Sequence, residues 1–225
     1  IVQGGTGLSR DYYFDDDEKS KQVRKKYKQY IKDIMNNFKT PVDVDKLYAI
    51  EERMAKSFYK KEKLRDPLAN YHKKSYEELK KEFSGFDWDV YFEARGVKPE
   101  YINVAQPEAI IESIKIINDT DIELLKTYLK YVIVNDSVAL LDDKTYDIAF
   151  DFYNREMSGQ KEKKPRWKRA VAMIDGSLGE LVGQIYVKKY FPASAKKRME
   201  KLVENLQRAL GDRIKNLTWM SDETK

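Results

Sequence analysis

Residues 20–38 read SKQVRKKYKQYIKDIMNNF. Val23, Tyr27, Tyr30, Ile31, Ile34, Met35 and Phe38 recur at spacings of three and four. At 3.6 residues per turn they share one stripe of a helix, with the lysines spread over the other side. A stripe that wide needs a covering partner. The rest of the chain decides whether that partner is a sheet or more helices.

Working outward, the signals are helical. Pro41 ends the first element, and Asp43 or Asp45 caps a second with the stripe Leu47, Ile50, Met54 and Phe58. Asp66-Pro67 has the form of a helix start, with Asp as cap and Pro at the first helical position. Ser75-x-x-Glu78 and Thr120-x-x-Glu123 are capping-box patterns. Asp87 opens a short turn of helix with Trp88, Tyr91 and Phe92, closed near Gly96. Residues 101–105 are the one convincing extended stretch. Helices are predicted over 107–117, from Thr120 to about Leu141, and over 144–157, 166–190 and 192–217.

The fold class read from this pattern is all-α: a multi-helix lobe with long amphipathic helices and little or no strand. With no alternation of strand and helix, a doubly wound sheet is excluded. Residues 1–19 are read as a loop leading into helices over 20–225. Gly4, Gly5 and Gly7 lack the Gly-x-Gly-x-x-Gly spacing of a phosphate cradle.

Residues 166–190 carry apolar residues on one side, at Trp167, Val171, Ile174, Leu178, Leu181 and Ile185. Gly176, Gly179 and Gly183 fall on the other side. Each interior glycine costs about 1 kcal/mol relative to alanine, so three together imply close approach of another backbone. Both faces of this helix are therefore expected to be buried. Glu180, on the narrow polar side, is expected to pair with a basic residue.

Composition narrows the function. Charged residues make up 36% of the chain, above the roughly 25% usual in globular domains, which suits helices with solvated outer faces. The net charge of +5 is spread over short blocks interrupted by acids, so a nucleic-acid partner is not expected. No stretch of 18 apolar residues is present, and no membrane span is predicted. Cysteine is absent and His72 is the one histidine. A zinc site needs three or four ligands from His, Cys, Asp and Glu, so this chain is expected to bind no metal and to carry no catalytic residue. Asp15-Asp16-Asp17-Glu18 precedes a helix N-terminus, where acids are favoured, and lacks the spacing of a calcium loop.

Several segments carry a resemblance. Near the start stands Gly7-Leu8-Ser9-Arg10-Asp11-Tyr12-Tyr13, and Phe86-Asp87-Trp88 lies in the middle. Later come Pro165-Arg166-Trp167-Lys168-Arg169 and Leu178-Gly179-Glu180-Leu181-Val182-Gly183-Gln184-Ile185-Tyr186-Val187. Leu217-Thr218-Trp219-Met220 and Thr224-Lys225 close the series. In this order they resemble the neprilysin and endothelin-converting-enzyme family of zinc endopeptidases. The family's proline after Leu8 is missing, and Ala170 stands where mammalian members carry cysteine, which implies a bacterial member.

The resemblance implies a mainly helical lobe that walls a closed chamber and limits substrates to peptides and small proteins. Zinc belongs to the catalytic lobe of the parent, whose His-Glu-x-x-His, Glu-x-x-x-Asp and Asn-Ala-aromatic segments are absent here. The partners it implies are peptide substrates and that catalytic lobe, at an extracytoplasmic location. Both ends of the chain look cut from something longer. Arg10, Asp11, Arg166, Trp167 and Glu180 are the candidates to face the chamber or the other lobe. The competing class is a stand-alone helical interaction module.

Overall fold

The computed structural model describes residues 1–225 throughout, in two compact units, Ile1–Glu162 and Lys163–Lys225. The first unit runs α1 (Arg10–Phe14), α2 (Glu18–Asn37), α3 (Val44–Ser57), α4 (Lys61–Leu64), β1 (Lys73–Ser75), α5 (Tyr76–Glu82) and α6 (Trp88–Ala94). It continues with β2 (Tyr101–Asn103), α7 (Pro107–Asp119), α8 (Ile122–Ser137) and α9 (Asp143–Ala149). A π-helical stretch, Phe150–Glu156, follows α9 directly. The two strands pair antiparallel, Lys73 opposite Asn103 and Ser75 opposite Tyr101, and form the only sheet. The all-α reading holds.

Two clusters form the core of this unit. The first is built on α2, whose stripe buries Val23, Tyr27, Tyr30, Ile31, Ile34 and Met35 against Leu47, Ile50 and Ala55 of α3 and Tyr128 and Tyr131 of α8. Each fully buried Ile, Leu or Met contributes about 1.5–3 kcal/mol relative to an exposed one. Asp17 starts α2 by accepting the Ser20 N–H, and Asp43 starts α3 by accepting the Lys46 N–H. Arg53 of α3 pairs with Glu112 and, at 3.2 Å, with Asp119, which fixes α7 beside α3. The second cluster gathers Leu79, Phe83, Trp88, Phe92, Ile102, Val104, Ile110 and Ile114. There the Trp88 indole N–H donates to the Phe83 carbonyl at 2.8 Å, so the ring is buried with its polar atom satisfied.

Some boundaries differ from the sequence reading, each for a local reason. Residues 1–19 are not loop throughout, because α1 forms at Arg10 and α2 starts at Glu18. Asp66-Pro67 begins a turn rather than a helix. The Asp66 carboxylate caps the N–H groups of Leu68 and Ala69, and the Asn70 amide takes the carbonyls of Lys63 and Asp66. Ser75 and Glu78 form the expected capping box. The second box does not form: Thr120 closes α7, and Asp121, the stronger cap, accepts from the N–H groups of Glu123 and Leu124. The helix predicted over 144–157 widens to π geometry at Phe150. This brings Phe152 and Tyr153, adjacent in sequence, both onto the Tyr30 ring at centroid distances of 5.2 Å.

The second unit consists of α10 (Arg166–Tyr190) and α11 (Ala193–Lys215) with short flanking turns. Neither helix buries a residue. The expectation that both faces of residues 166–190 are covered is corrected here. A Cβ built on Gly176, Gly179 or Gly183 meets nothing within 4 Å. On the apolar side Leu181 and Ile185 are 60% and 70% exposed. On α11, Met199, Leu202, Val203, Leu206 and Leu210 form a second uncovered stripe at helical spacing.

Candidate functional site

Residues 1–8 form an extended strap across the first unit. Its first end lies beside β2: the Ile1 nitrogen donates to the Asn103 carbonyl at 2.6 Å, and the Ala105 N–H donates to the Ile1 carbonyl at 2.8 Å. Gln3 bridges both sides of the unit. Its N–H donates to the Gln106 side-chain oxygen at 2.7 Å, and its own side-chain oxygen accepts the Tyr59 N–H at 2.8 Å. At the other end Leu8 is buried in the first core cluster, while Ile1 packs on the second. The strap therefore ties the two clusters together. A shallow groove of about 290 Å³ runs along it, floored by Phe58, Tyr59 and Leu64.

Arg10 and Asp11 stand where the strap turns into α1. Both are half-buried. The Arg10 Nε donates to the Phe58 carbonyl at 3.1 Å, and its guanidinium lies 5.0 Å from the centroid of the Phe14 ring. Asp11 pairs with Lys61 at 2.8 Å. The two residues thus fasten α1 to the end of α3 and to α4.

Glu51 of α3 lies beneath the strap, 2% exposed. It accepts the Gly7 N–H at 3.2 Å, the Tyr13 hydroxyl at 2.8 Å and the Tyr27 hydroxyl at 2.6 Å. Tyr27 shares a further hydrogen bond of 2.7 Å with the Tyr131 hydroxyl. Burial pushes the Glu51 carboxyl above its ordinary range, against the opposing pull of these donors. Burial likewise raises Tyr13, Tyr27 and Tyr131. The sequence reading missed Glu51. Its signal was an acid four residues after Leu47 and directly after Ile50, on the buried stripe.

The other sequence candidates lie on α10. Arg166, Trp167 and Glu180 are all exposed, Trp167 to 64%. The Lys168 ammonium sits 5.4 Å from the centroid of the Trp167 ring. Glu180 has no ion pair, so the expected basic partner is not found in this chain. Thirteen positions separate Trp167 from Glu180, and the structure does not gather the three into one cluster.

No three His, Cys, Asp or Glu side chains converge. His72, the one imidazole, lies with Nδ1 3.1 Å from the Val104 carbonyl, next to the paired strands. The residues present do not make up a zinc donor set. No helix is long and apolar enough to cross a membrane.

The geometry thus shows a helical scaffold with uncovered apolar stripes on its last two helices. Comparison with known proteins gives the family. The family model described as "Peptidase family M13" matches residues 1–225, the whole chain. The chain belongs to peptidase family M13. Neprilysin-1 of Caenorhabditis elegans is 28% identical over 246 residues, which covers 99% of this chain and 32% of that protein. Membrane metallo-endopeptidase-like 1 of Mus musculus is 24% identical, covering 96% of this chain and 31% of that protein. The solved structure of Mycobacterium tuberculosis zinc metalloprotease Zmp1 in complex with an inhibitor superposes with a TM-score of 0.86. It is 27% identical and covers 99% of this chain and 35% of its own. The chain therefore spans about a third of the length of the relatives it matches. M13 peptidases use zinc, and this chain corresponds to their helical domain.

Proposed function

We propose that this chain is the helical wall of an M13 zinc endopeptidase. In that reading it encloses peptide substrates and sets an upper limit on their size, while the zinc-bearing lobe of the parent does the chemistry. The observation that carries it is the pair of bare stripes on α10 and α11 in a chain matching a third of its relatives. Contiguous exposed apolar surface marks a face that a partner covers, and in this reading the partner is other polypeptide of the parent.

In this reading Arg166, Trp167 and Glu180 face polypeptide or substrate of the parent, and the glycine side of α10 receives another backbone. Arg10 and Asp11 act less directly, by fixing the strap and α1. The chain alone holds no stoichiometric zinc and cleaves no peptide. The parent would work on the extracytoplasmic side, in keeping with the membrane metallo-endopeptidase among its relatives.

The test uses the isolated chain and the full-length parent together. Metal analysis after dialysis and a ladder of fluorogenic peptides of increasing length are the measurements. The isolated chain is expected to be inactive. In the parent, Trp167→Ala is expected to move the longest peptide cut, with short-peptide turnover changed much less. One tightly held zinc and chelator-sensitive turnover in the isolated chain would overturn the proposal. So would loss of short-peptide turnover in Trp167→Ala with folding, zinc content and size limit unchanged.

A further inference from the structure

β2 is paired on one side and open on the other. The Val104 N–H donates to the His72 carbonyl at 3.1 Å, and the Glu100 carbonyl accepts the Tyr76 N–H at 3.2 Å. Glu100, Ile102 and Val104 therefore turn their backbone groups toward β1 and the residues flanking it. By the alternation of an extended chain, Tyr101, Asn103 and Ala105 turn theirs the other way. On that side Ile1 makes a single rung. Its nitrogen donates to the Asn103 carbonyl at 2.6 Å, and its carbonyl accepts the Ala105 N–H at 2.8 Å. A residue bonded to both neighbours of the one opposite it, here Val104, is a parallel pairing.

The side chains keep the same register. Ile1, opposite Val104, packs on the second core cluster, to which Ile102 and Val104 belong, whereas Val2 is 67% exposed. Past Ile1 the ladder stops, because the Gln3 N–H goes to the Gln106 side chain and α7 begins at Pro107. In the other direction the edge of β2 continues. The Asn103 N–H and both backbone groups of Tyr101 face that side without a partner, and both residues are exposed. An exposed edge of this kind is a template for another extended segment.

We propose that the open edge of β2 seats a third, parallel strand, supplied by the polypeptide that leads into Ile1 in the parent peptidase. This rests on the reading of the chain as part of a longer M13 polypeptide. Ile1 fixes the direction and the register. The residue two before Ile1 stands opposite Ile102: its N–H donates to the Tyr101 carbonyl, and its carbonyl accepts the Asn103 N–H. Its side chain falls on the same face as Ile1 and Ile102, over the second cluster, and is apolar. The residue directly before Ile1 points to the opposite face, with Val2, where a polar side chain is tolerated. A strand from a second copy would have to stop short of Ile1, which already holds the Asn103 carbonyl and the Ala105 N–H.

Residue-resolved amide hydrogen exchange on the full-length parent and on the 225-residue chain, side by side, tests this. The reporter is the Asn103 N–H, and the reference is the Val104 N–H, bonded to His72. In the parent, Asn103 is expected to exchange at least about tenfold more slowly than in the 225-residue chain, with Val104 little changed. Proline placed two before Ile1 in the parent removes the donor to Tyr101 and should return Asn103 to the fast rate. If that variant does not fold, the comparison of parent and 225-residue chain decides alone. Equal Asn103 rates in the two proteins would overturn the proposal, as would full protection in the proline variant or an ionised side chain two before Ile1. Protection in the 225-residue chain that rises with protein concentration would assign the edge to a second copy instead. The readout involves neither zinc nor turnover. A parent that cuts peptides without a size limit, but protects Asn103, would therefore sink the chamber reading and leave the strand in place.

Discussion

Replacing Gly7 by alanine is the sharpest test of how the strap sits. The added methyl would meet Tyr27 at 1.8 Å from the hydroxyl oxygen, 2.4 Å from Cζ and 2.7 Å from Cε2. Tyr27 is fully buried and bonded on both sides, to Glu51 and to Tyr131, so it has no room to withdraw. The strap must lift instead. Overpacking of this kind costs about 1–3 kcal/mol. Losing the Gly7 N–H bond to a carboxyl group adds about 1.5–3 kcal/mol. A loss of about 2.5–6 kcal/mol is expected, a large share of the about 5–15 kcal/mol that holds a domain together. The controls lie next door: Gly4 and Gly5 have nothing within 4 Å of a built Cβ. Alanine there should be neutral or stabilise by about 0.4–1 kcal/mol through the unfolded state. Urea unfolding compares the three variants, with the Gly7→Ala midpoint expected to fall by about 1–2 M. A Gly7→Ala midpoint equal to that of Gly4→Ala would refute the close approach.

Three further outcomes are expected. Asp121→Ala should cost about 0.5–2 kcal/mol by urea unfolding, whereas Thr120→Ala should change little, because Asp121 caps α8. Trp88→Phe should destabilise by about 1–3 kcal/mol, since it leaves the buried Phe83 carbonyl without its donor; an unchanged midpoint would show that water replaces the indole. Gly179→Ala should stabilise the isolated chain by about 0.8–1 kcal/mol through helix propensity, as the site is open. In the full-length parent the same change should destabilise, and stabilisation in both would mean that nothing packs on the glycine side.

How far the sequence could be read depended on the range of the interactions. The α2 stripe, the Ser75–Glu78 box and the Gly96 turn were legible because each is set by residues within a few positions of one another. Asp121 was misread for Thr120 because two capable caps stand side by side, and the better acceptor wins. The π-helical stretch was not legible because what accompanies it is distant in sequence: two adjacent aromatics converge on the Tyr30 ring. Glu51 was hidden for the same reason. A charged residue reads as solvated unless its donors are known, and these come from Gly7, Tyr13 and Tyr27. The glycine side of α10 was read as packed, but composition can signal that a surface is meant to be covered without saying that the covering polypeptide is in the same chain.

The strap also has a consequence in time. Gln3 is bonded to Gln106, 103 positions further along the chain. At about 5–20 residues per second, a ribosome takes roughly 5–20 s to make the intervening polypeptide. During that interval α2 and α3 can assemble, while Ile1, Val2 and the backbone of Gln3 have no partner from β2 or α7. The segment that joins the two clusters is therefore translated before either of its far anchors and locked after both. For those seconds the segment stands without the anchors that hold it in the folded unit and is open to a chaperone or a protease.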